Sequence, residues 1–397
     1  MKTLALAVSL AVSPCAVAQC QYEAIPIPET CNGGWLPLGV NDYSAVVGLQ
    51  AGCSSANWKP FLWTAETGTN YLPIPAGQGL VEATGVRIAN DGTIAGFAKK
   101  SNSLNNLIVW RPDGTVKVYF MEGADPNVNN VAIRFDGAIL GELQHDGFLD
   151  AFIVKDDEFL PIPAPLAREH GSFHAVNRSG WATGRHYVTT SLNDHPIFWD
   201  GESDATPLDL PAGYSRGYGE DIDCFGRIAG RFRQLPSRQV PNPAWHAHVW
   251  EAGSYSMVPL LPGLSSSTVS GMNDVGQIVG ECSSPLTPRA YFYQHGTTTL
   301  LSSLITPPFS GILTGTYDIN ELGEITTATA SQMYLLRPIG VVPADVDINC
   351  RVDVNDLNYV LRCWGPVGTT TALRADVNGD GWVDAADLAE VLGAWTP

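Results

Sequence analysis

One motif recurs along most of this chain, and it constrains the fold more than any other feature. The pattern is apolar, Asn or Asp, two variable residues, Gly, three residues, Gly. It reads VNDYSAVVG (40 to 48), IANDGTIAG (88 to 96), IRFDGAILG (133 to 141), VNRSGWATG (176 to 184), IDCFGRIAG (222 to 230), MNDVGQIVG (272 to 280) and INELGEITT (319 to 327). The seven copies start 43 to 50 residues apart. Self-similarity at such a period marks a repeated supersecondary unit that buries its apolar face only by stacking on its neighbours.

A second anchor follows each copy: PFLW (60 to 63), LIVW (107 to 110), AFIV (151 to 154), PIFW (196 to 199), AHVW (247 to 250), AYFY (290 to 293) and MYLL (333 to 336). A third is the tail YLPIP, FLPIP, PLDLP or MVPLL. Each unit therefore supplies a strand before the turn, one after it, an aromatic strand and a Pro-punctuated strand. Glycine suits the turn because it accepts the positive φ that closes a short loop. Four strands per unit at a period near 45 predict a mainly β fold, a seven-bladed β-propeller over residues 19–338. The seventh unit stops after its third strand, at Arg337 and Pro338. YEAIPIP (22 to 28) looks like the missing fourth strand, so an N-terminal strand is expected to complete the last blade and leave no open sheet edge.

The repeat resembles the HAF-repeat family of bacterial extracellular proteins, named for His-Ala-Phe before the tryptophan. Here that His stands as His195 and His246, while other units carry Lys59, Asn106, Asp150, Arg289 and Gln332. The resemblance covers roughly residues 32 to 338 and implies secretion and a propeller. The seven residues read most simply as polar groups at solvated strand entries; the alternative is a rim that contacts a ligand, glycan or protein.

Residues 339–344 break the repeat and are expected as a linker to a second domain, 345–397. There DVDINCRVDVND (345 to 356) and DVNGDGWVDAAD (376 to 387) align at a spacing of 31. Asp376, Asn378, Asp380, Asp384 and Asp387 place oxygens at positions 1, 3, 5, 9 and 12, with the Trp382 carbonyl at position 7. That is the ligand order of an EF-hand loop, which wraps a hard cation in oxygens. In the first loop the same positions are Asp345, Asp347, Asn349, Arg351 (carbonyl), Asp353 and Asp356. Two Ca2+ sites follow, the second better formed, because Cys350 replaces the position-6 glycine in the first.

Asp at position 12 in both loops, and a helix after each loop without a clear one before it, resemble the dockerin type I module. The resemblance implies calcium binding and a cohesin-like or cell-envelope partner. Positions 10 and 11, which in dockerins help contact the cohesin, are Val354-Asn355 and Ala385-Ala386. Leu357, Leu361 and Trp364 recur as Leu388, Leu392 and Trp395 at helical spacing. They are expected to pack the two helices together, with metal contributing much of the folding free energy of so small a core.

The first eighteen residues read as a signal peptide: Lys2, an apolar run from Leu4 to Val12, then the small residues Ala16-Val17-Ala18. Gln19 before Cys20 argues against a lipoprotein anchor, and no later run is long enough to span a membrane. A secreted, cell-surface or periplasmic protein is expected. With 40 acidic and 22 basic residues, a formal charge of -18, the chain is unsuited to nucleic acid or anionic lipid. Seven cysteines follow the signal, an odd number, so at least one is free or pairs between chains. An intervening strand separates Cys20 from Cys31; Cys31 with Cys53 is the better-fitting pair.

His246 and His248 alternate on one strand, as zinc ligands can, but lack a third partner and read as structural. Glu142, Arg185, His186, Arg231 and Glu281 follow repeat glycines, and two carboxylates across a channel could serve acid-base hydrolysis. No nucleophile elbow, phosphate loop or HExxH stretch occurs. The expected function is therefore a non-catalytic propeller presenting a binding or structural surface, attached through the C-terminal module. The alternative is a glycosidase or lyase of extracellular polysaccharide catabolism.

Overall fold

The hairpin after each first strand shows what the two repeat glycines and the Asn do. In the sixth unit Asn273 Oδ1 accepts the Gln277 N–H (3.0 Å), and the Gly276 N–H closes the turn on the Asn273 carbonyl (2.9 Å). Gly276 sits at φ +80°, where a side chain is strained. The second glycine, Gly280, faces a first strand that carries a β-bulge between Val269 and Gly271. A Cβ at Gly280 would lie 2.0 Å from the Thr268 carbonyl oxygen, and the same collision awaits Gly48, Gly96, Gly184 and Gly230. Bulges bend a strand and sharpen its twist; one falls just before the turn in six units, and two residues further from it, between Val128 and Asn130, in the third.

The computed structural model describes residues 19–28, 34–51, 58–100, 105–120, 127–134, 137–145, 148–155, 158–162, 169–188, 193–202, 205–284, 287–367 and 373–396. The expected signal peptide and the Cys31–Cys53 pair lie outside them. Among the described residues the strands form five four-stranded antiparallel sheets, one eight-stranded sheet and a two-stranded pair in the C-terminal module. The eight-stranded sheet comprises the fourth and fifth repeat units, joined by a single parallel bridge between Asp194 and Arg216. The N-terminal strand Gln21–Ile27 lies antiparallel to Met333–Ile339, with Tyr22 opposite Pro338 and Ile27 opposite Met333. It is the outer strand of the last repeat unit.

Apolar residues fill the spaces between neighbouring sheets. Val47, Ala83, Ile94 and Ile108 join the first and second units; Ala95, Leu107, Val131, Ile139 and Phe152 join the second and third; Ala229, Ala247, Ile278 and Tyr291 join the fifth and sixth. Each unit thus completes its neighbour's core, as the motif period requires.

A polar thread runs through the turns as well. Nδ2 of Asn41, Asn177 and Asn273 donates to the carbonyls of Ala89, Asp223 and Asn320 in the next unit, at 3.1, 2.7 and 3.2 Å. Asn320 of the last unit donates to Asn41 of the first (2.8 Å). These Asn side chains satisfy hairpin groups, as the sequence suggests, and also tie each turn to the next.

The C-terminal module holds two helices, α1 (Val354–Arg362) and α2 (Ala385–Gly393), each opened by an Asp in a capping box, Asp353 with Asp356 and Asp384 with Asp387. Its core is Val346, Val352, Val360, Cys363, Ala375, Val383 and Val391, and it includes Cys224 from a propeller turn. The stretch expected as a linker begins inside the last long strand, Val341 packs on the propeller core, and Ala344 is buried in the module.

The helix faces differ from expectation. Leu361 (51% exposed), Trp364 (52%), Leu392 (53%) and Trp395 (39%) point outward, and only Leu357 and Leu388 of the two stripes pack inward. The reason lies in the loops: Asp356 and Asp387 must turn into their loops, which fixes the buried face one residue over, on Val360, Cys363 and Val391.

Candidate metal centre

In the first loop the carboxylates of Asp345, Asp347 and Asp356 converge, with one oxygen of each within 4.8 Å of the others, and all three are buried. Asp345 accepts the N–H groups of Asn349 (3.0 Å) and Cys350 (2.9 Å), and Asp356 those of Asp347 (3.0 Å) and Asp353 (2.7 Å). Asn349 bonds Asp347 Oδ2, Asp353 caps α1, and Arg351 stands where its carbonyl serves as position 7. Burial pushes Asp345 up to about 7 and Asp356 to about 6. Asp347 Oδ1 is buried without a hydrogen-bond partner. Three packed carboxylates with an orphaned oxygen are a donor set that a hard divalent cation satisfies.

The second loop repeats this order in the open. Asp376 accepts the N–H groups of Gly379, Asp380 and Gly381, and Asp387 those of Val377, Asn378 and Asp384. Asn378 bonds Asp380, Asp384 caps α2, and Trp382 follows at position 7. Positions 4 and 6 lie at positive φ in both loops: Gly379 (+74°) and Gly381 (+90°) here, Ile348 (+56°) and Cys350 (+65°) in the first. The first loop thus takes the glycine geometry without glycine.

The propeller grips that loop. Cys350 forms a disulfide with Cys20, 330 positions away, with Cα atoms 5.0 Å apart. Ile348 is buried in a cluster with Val275, Val279 and Leu336. His295 Nε2 lies 2.7 Å from Asp347 Oδ2, and that bond raises the imidazole pKa. Gln294 and Gln277 donate to the Asp347 and Ile348 carbonyls at 2.5 and 3.0 Å. Tyr359 of α1 donates to the Val275 carbonyl, and the Arg362 guanidinium lies 3.9 Å over the Phe225 ring. None of these grips was read from the sequence. The signal available was the departure of Ile348 and Cys350 from the Gly379 and Gly381 pattern.

The other candidates dissolve into local structure. Lys59 lies over Tyr71, Asn106 bonds the Ala98 carbonyl, His195 bonds the Leu208 carbonyl, and Gln332 ties down Ile27; Asp150 and Arg289 lie on third strands. His246 meets the Tyr214 ring edge-on, and His248 stacks on Phe232 at 4.4 Å. No group of metal-holding side chains gathers there among the described residues.

At the turn end of the repeat units, a cavity of about 200 Å³ is lined by Asp42, Asp221, Asp274, Asp318, Arg87 and Arg178, among others. Three of its acids serve the backbone: Asp221 accepts the Met272 N–H (2.7 Å), Asp318 the Val40 N–H (3.0 Å) and Asp42 the Glu321 N–H (2.9 Å). Burial pushes Asp221 up to about 7. Glu220, which also lines the cavity, is held by His174 (3.1 Å) and Arg231 (2.7 Å) instead. Elsewhere Glu142 pairs with Arg185 (3.4 Å), Arg185 and Arg231 lie over Tyr218, His186 stands opposite His195, and burial raises Glu281.

Fold and site together describe a mainly β, propeller-like chain ending in a paired loop-helix module. Residues 343–393 match the family model of the dockerin type I domain, a calcium-binding module. A search of curated proteins finds no match to the sequence. Among solved structures the chain is similar to the β-propeller domain of the Trilobed protease from Pyrococcus furiosus, at 12% identity and TM-score 0.50, covering 77% of this chain and 94% of that one. It is also similar to oligogalacturonate lyase from Vibrio parahaemolyticus (14%, TM-score 0.51, 81% and 97%) and to Pyrococcus horikoshii acylaminoacyl peptidase (13%, TM-score 0.51, 79% and 52%). At such identities the likeness concerns the fold, which hosts unrelated chemistries. No helix among the described residues is long and apolar enough to cross a membrane.

Proposed function

We propose that this is a secreted calcium-binding protein in which a non-catalytic, seven-bladed propeller with HAF-like repeats presents a binding or structural surface. The C-terminal module attaches it to a cohesin-like partner. The Cys20–Cys350 disulfide supports an oxidising, exported setting. Seven bulged hairpins, with Asn320 reaching back to Asn41, support the blade count. Calcium at the first loop is supported by the converging carboxylates of Asp345, Asp347 and Asp356, and at the second by the same ligand order, Asp376, Asn378, Asp380, Asp384 and Asp387, within the matched dockerin region.

The observation that carries attachment is the twinned exposed apolar set, Leu361 on α1 with Leu392 on α2, and Trp364 with Trp395 just past the ends of the two helices. Large apolar side chains outside a core mark a contact surface, and aromatic ones are frequent energetic anchors of interfaces. The non-catalytic reading is supported by Asp42, Asp221 and Asp318 of the turn-end cavity, whose carboxylates are engaged with backbone N–H groups.

Surface plasmon resonance against a panel of cohesin modules, with calcium and with EDTA, tests this function. Calcium-dependent binding that is lost in Leu361→Asp/Leu392→Asp supports it; binding that ignores both calcium and the variant overturns it. Turnover in a polysaccharide panel would instead favour a glycan-degrading enzyme over a propeller that only retains the polymer.

A further inference from the structure

We propose that the propeller is a working part of the first calcium site. His295, Gln277 and Gln294 hold the 345–356 loop in its ligand geometry, so calcium bound there locks the module onto the propeller. The 376–387 loop binds calcium independently of the propeller. This rests on the calcium reading above and adds residues outside the module to one of its two sites.

The two loops differ where they meet the propeller. In the second, the left-handed positions are Gly379 and Gly381, with open space around each Cα. In the first they are Ile348 and Cys350. A β-branched residue at positive φ is an outlier, and such strain persists only where the surroundings over-determine it. For Ile348 the surroundings are the propeller core and the bare face of Gly323, where an added Cβ would lie 3.3 Å from the Ile348 side chain. For Cys350 they are the disulfide to Cys20. The first loop therefore takes its shape from the domain it sits on.

The polar contacts aim at the ligands. Asp347 stands at position 3; its Oδ2 receives His295 Nε2 at 2.7 Å, and its Oδ1 is buried and unpartnered, free to face a cation. A second partner that fixes a ligating carboxylate orients it before the metal arrives. Gln294 and Gln277 hold the next two carbonyls, at 2.5 and 3.0 Å, which sets the path of the chain between Asp347 and Asn349. His295 and its two glutamine neighbours are positioning residues; none of them is a ligand.

Calorimetric titration of the full chain with CaCl2 tests this, using Asp380→Ala to silence the second loop and read the first alone. His295→Ala in that background should weaken calcium binding about 10- to 100-fold, the range seen when outer partners of metal ligands are removed. His295→Gln, which keeps an N–H donor, should recover much of it. In the otherwise unaltered chain, His295→Ala should leave the second site's affinity unchanged, which also reports that the module is folded. Calcium should raise the unfolding midpoint of the propeller in Asp380→Ala and not in Asp380→Ala/His295→Ala. Unaltered first-site affinity in His295→Ala, or loss of binding at both loops, overturns the proposal while leaving calcium binding by the parent intact. A parent chain that binds no calcium overturns the underlying reading instead.

Discussion

Cys20 and Cys350 are bonded across 330 residues, joining the start of the N-terminal strand to the sixth position of a metal loop. The bridge closes almost the whole described chain into one covalent loop, and it fastens the outer strand of the last repeat unit where that strand begins.

Cys20→Ser should therefore destabilise the protein by about 2–4 kcal/mol, the usual worth of a native disulfide. The check is the urea midpoint, and reductant should bring the parent to the same value. A midpoint that neither treatment moves would mean that the strand pairing from Gln21 to Ile27 holds alone.

Asn320 links the last unit to the first. Its Nδ2 reaches the Asn41 carbonyl at 2.8 Å, while its Oδ1 accepts the Leu322 and Glu324 N–H groups; Asn320, Asn41 and Glu324 are buried. Asn320→Ala leaves those groups without partners and should lower stability by about 2–3 kcal/mol. Asn273→Ala, at the equivalent place between the consecutive sixth and seventh units, is the comparison; thermal unfolding of both variants reads the result.

His248 is buried against Phe232 and Tyr255, and burial depresses it to about 3. Its folded pKa lies below the unfolded value, so the fold excludes the proton. Stability is full above about pH 6.5 and falls by about 1.4 kcal/mol per unit as pH drops toward 3. Glu220 nearby works weakly in the opposite direction. His248→Phe should remove this acid-side loss, so its melting temperature at pH 5 should fall less from its pH 7 value than the parent's does.

Asp221 has the opposite sign. Burial, with Asp318 adding to it, raises the carboxyl to about 7, against the N–H bonds from Met272 and Ile222 and the charge of Arg87. The fold then prefers the protonated form, and stability declines as pH rises from about 4 to 7. Relative to the parent, Asp221→Asn should gain about 1–3 kcal/mol of stability between pH 4 and pH 8, whatever offset its single acceptor oxygen brings. Denaturant midpoints across that range decide it; a constant difference would place the charge elsewhere.

Much of the fold was legible because a repeat writes its constraints several times. Gly276 and Gly280 recur in kind in most units because the turn takes a positive φ and the bulged strand approaches too closely for a Cβ at Gly48, Gly96, Gly184, Gly230 and Gly280; Ser44 and Thr327 are the departures. The metal loops were legible for the same reason, since Asp376 to Asp387 must alternate ligands with spacers to wrap a cation. The helix faces were misjudged because Leu361 and Trp364 fit an apolar periodicity equally well, while only the loop geometry decides which side of α1 turns inward.

The sequence by itself determined the repeat unit, the turn chemistry and the ligand order, all of which are local and set by backbone sterics and spacing. Tertiary structure alone decided that Cys20 meets Cys350, that His295 meets Asp347, and that Ile348 can hold a glycine's conformation inside another domain's core. Those contacts join residues 330 and 52 positions apart. No periodicity encodes them, because they follow from where the packed sheets bring distant surfaces together.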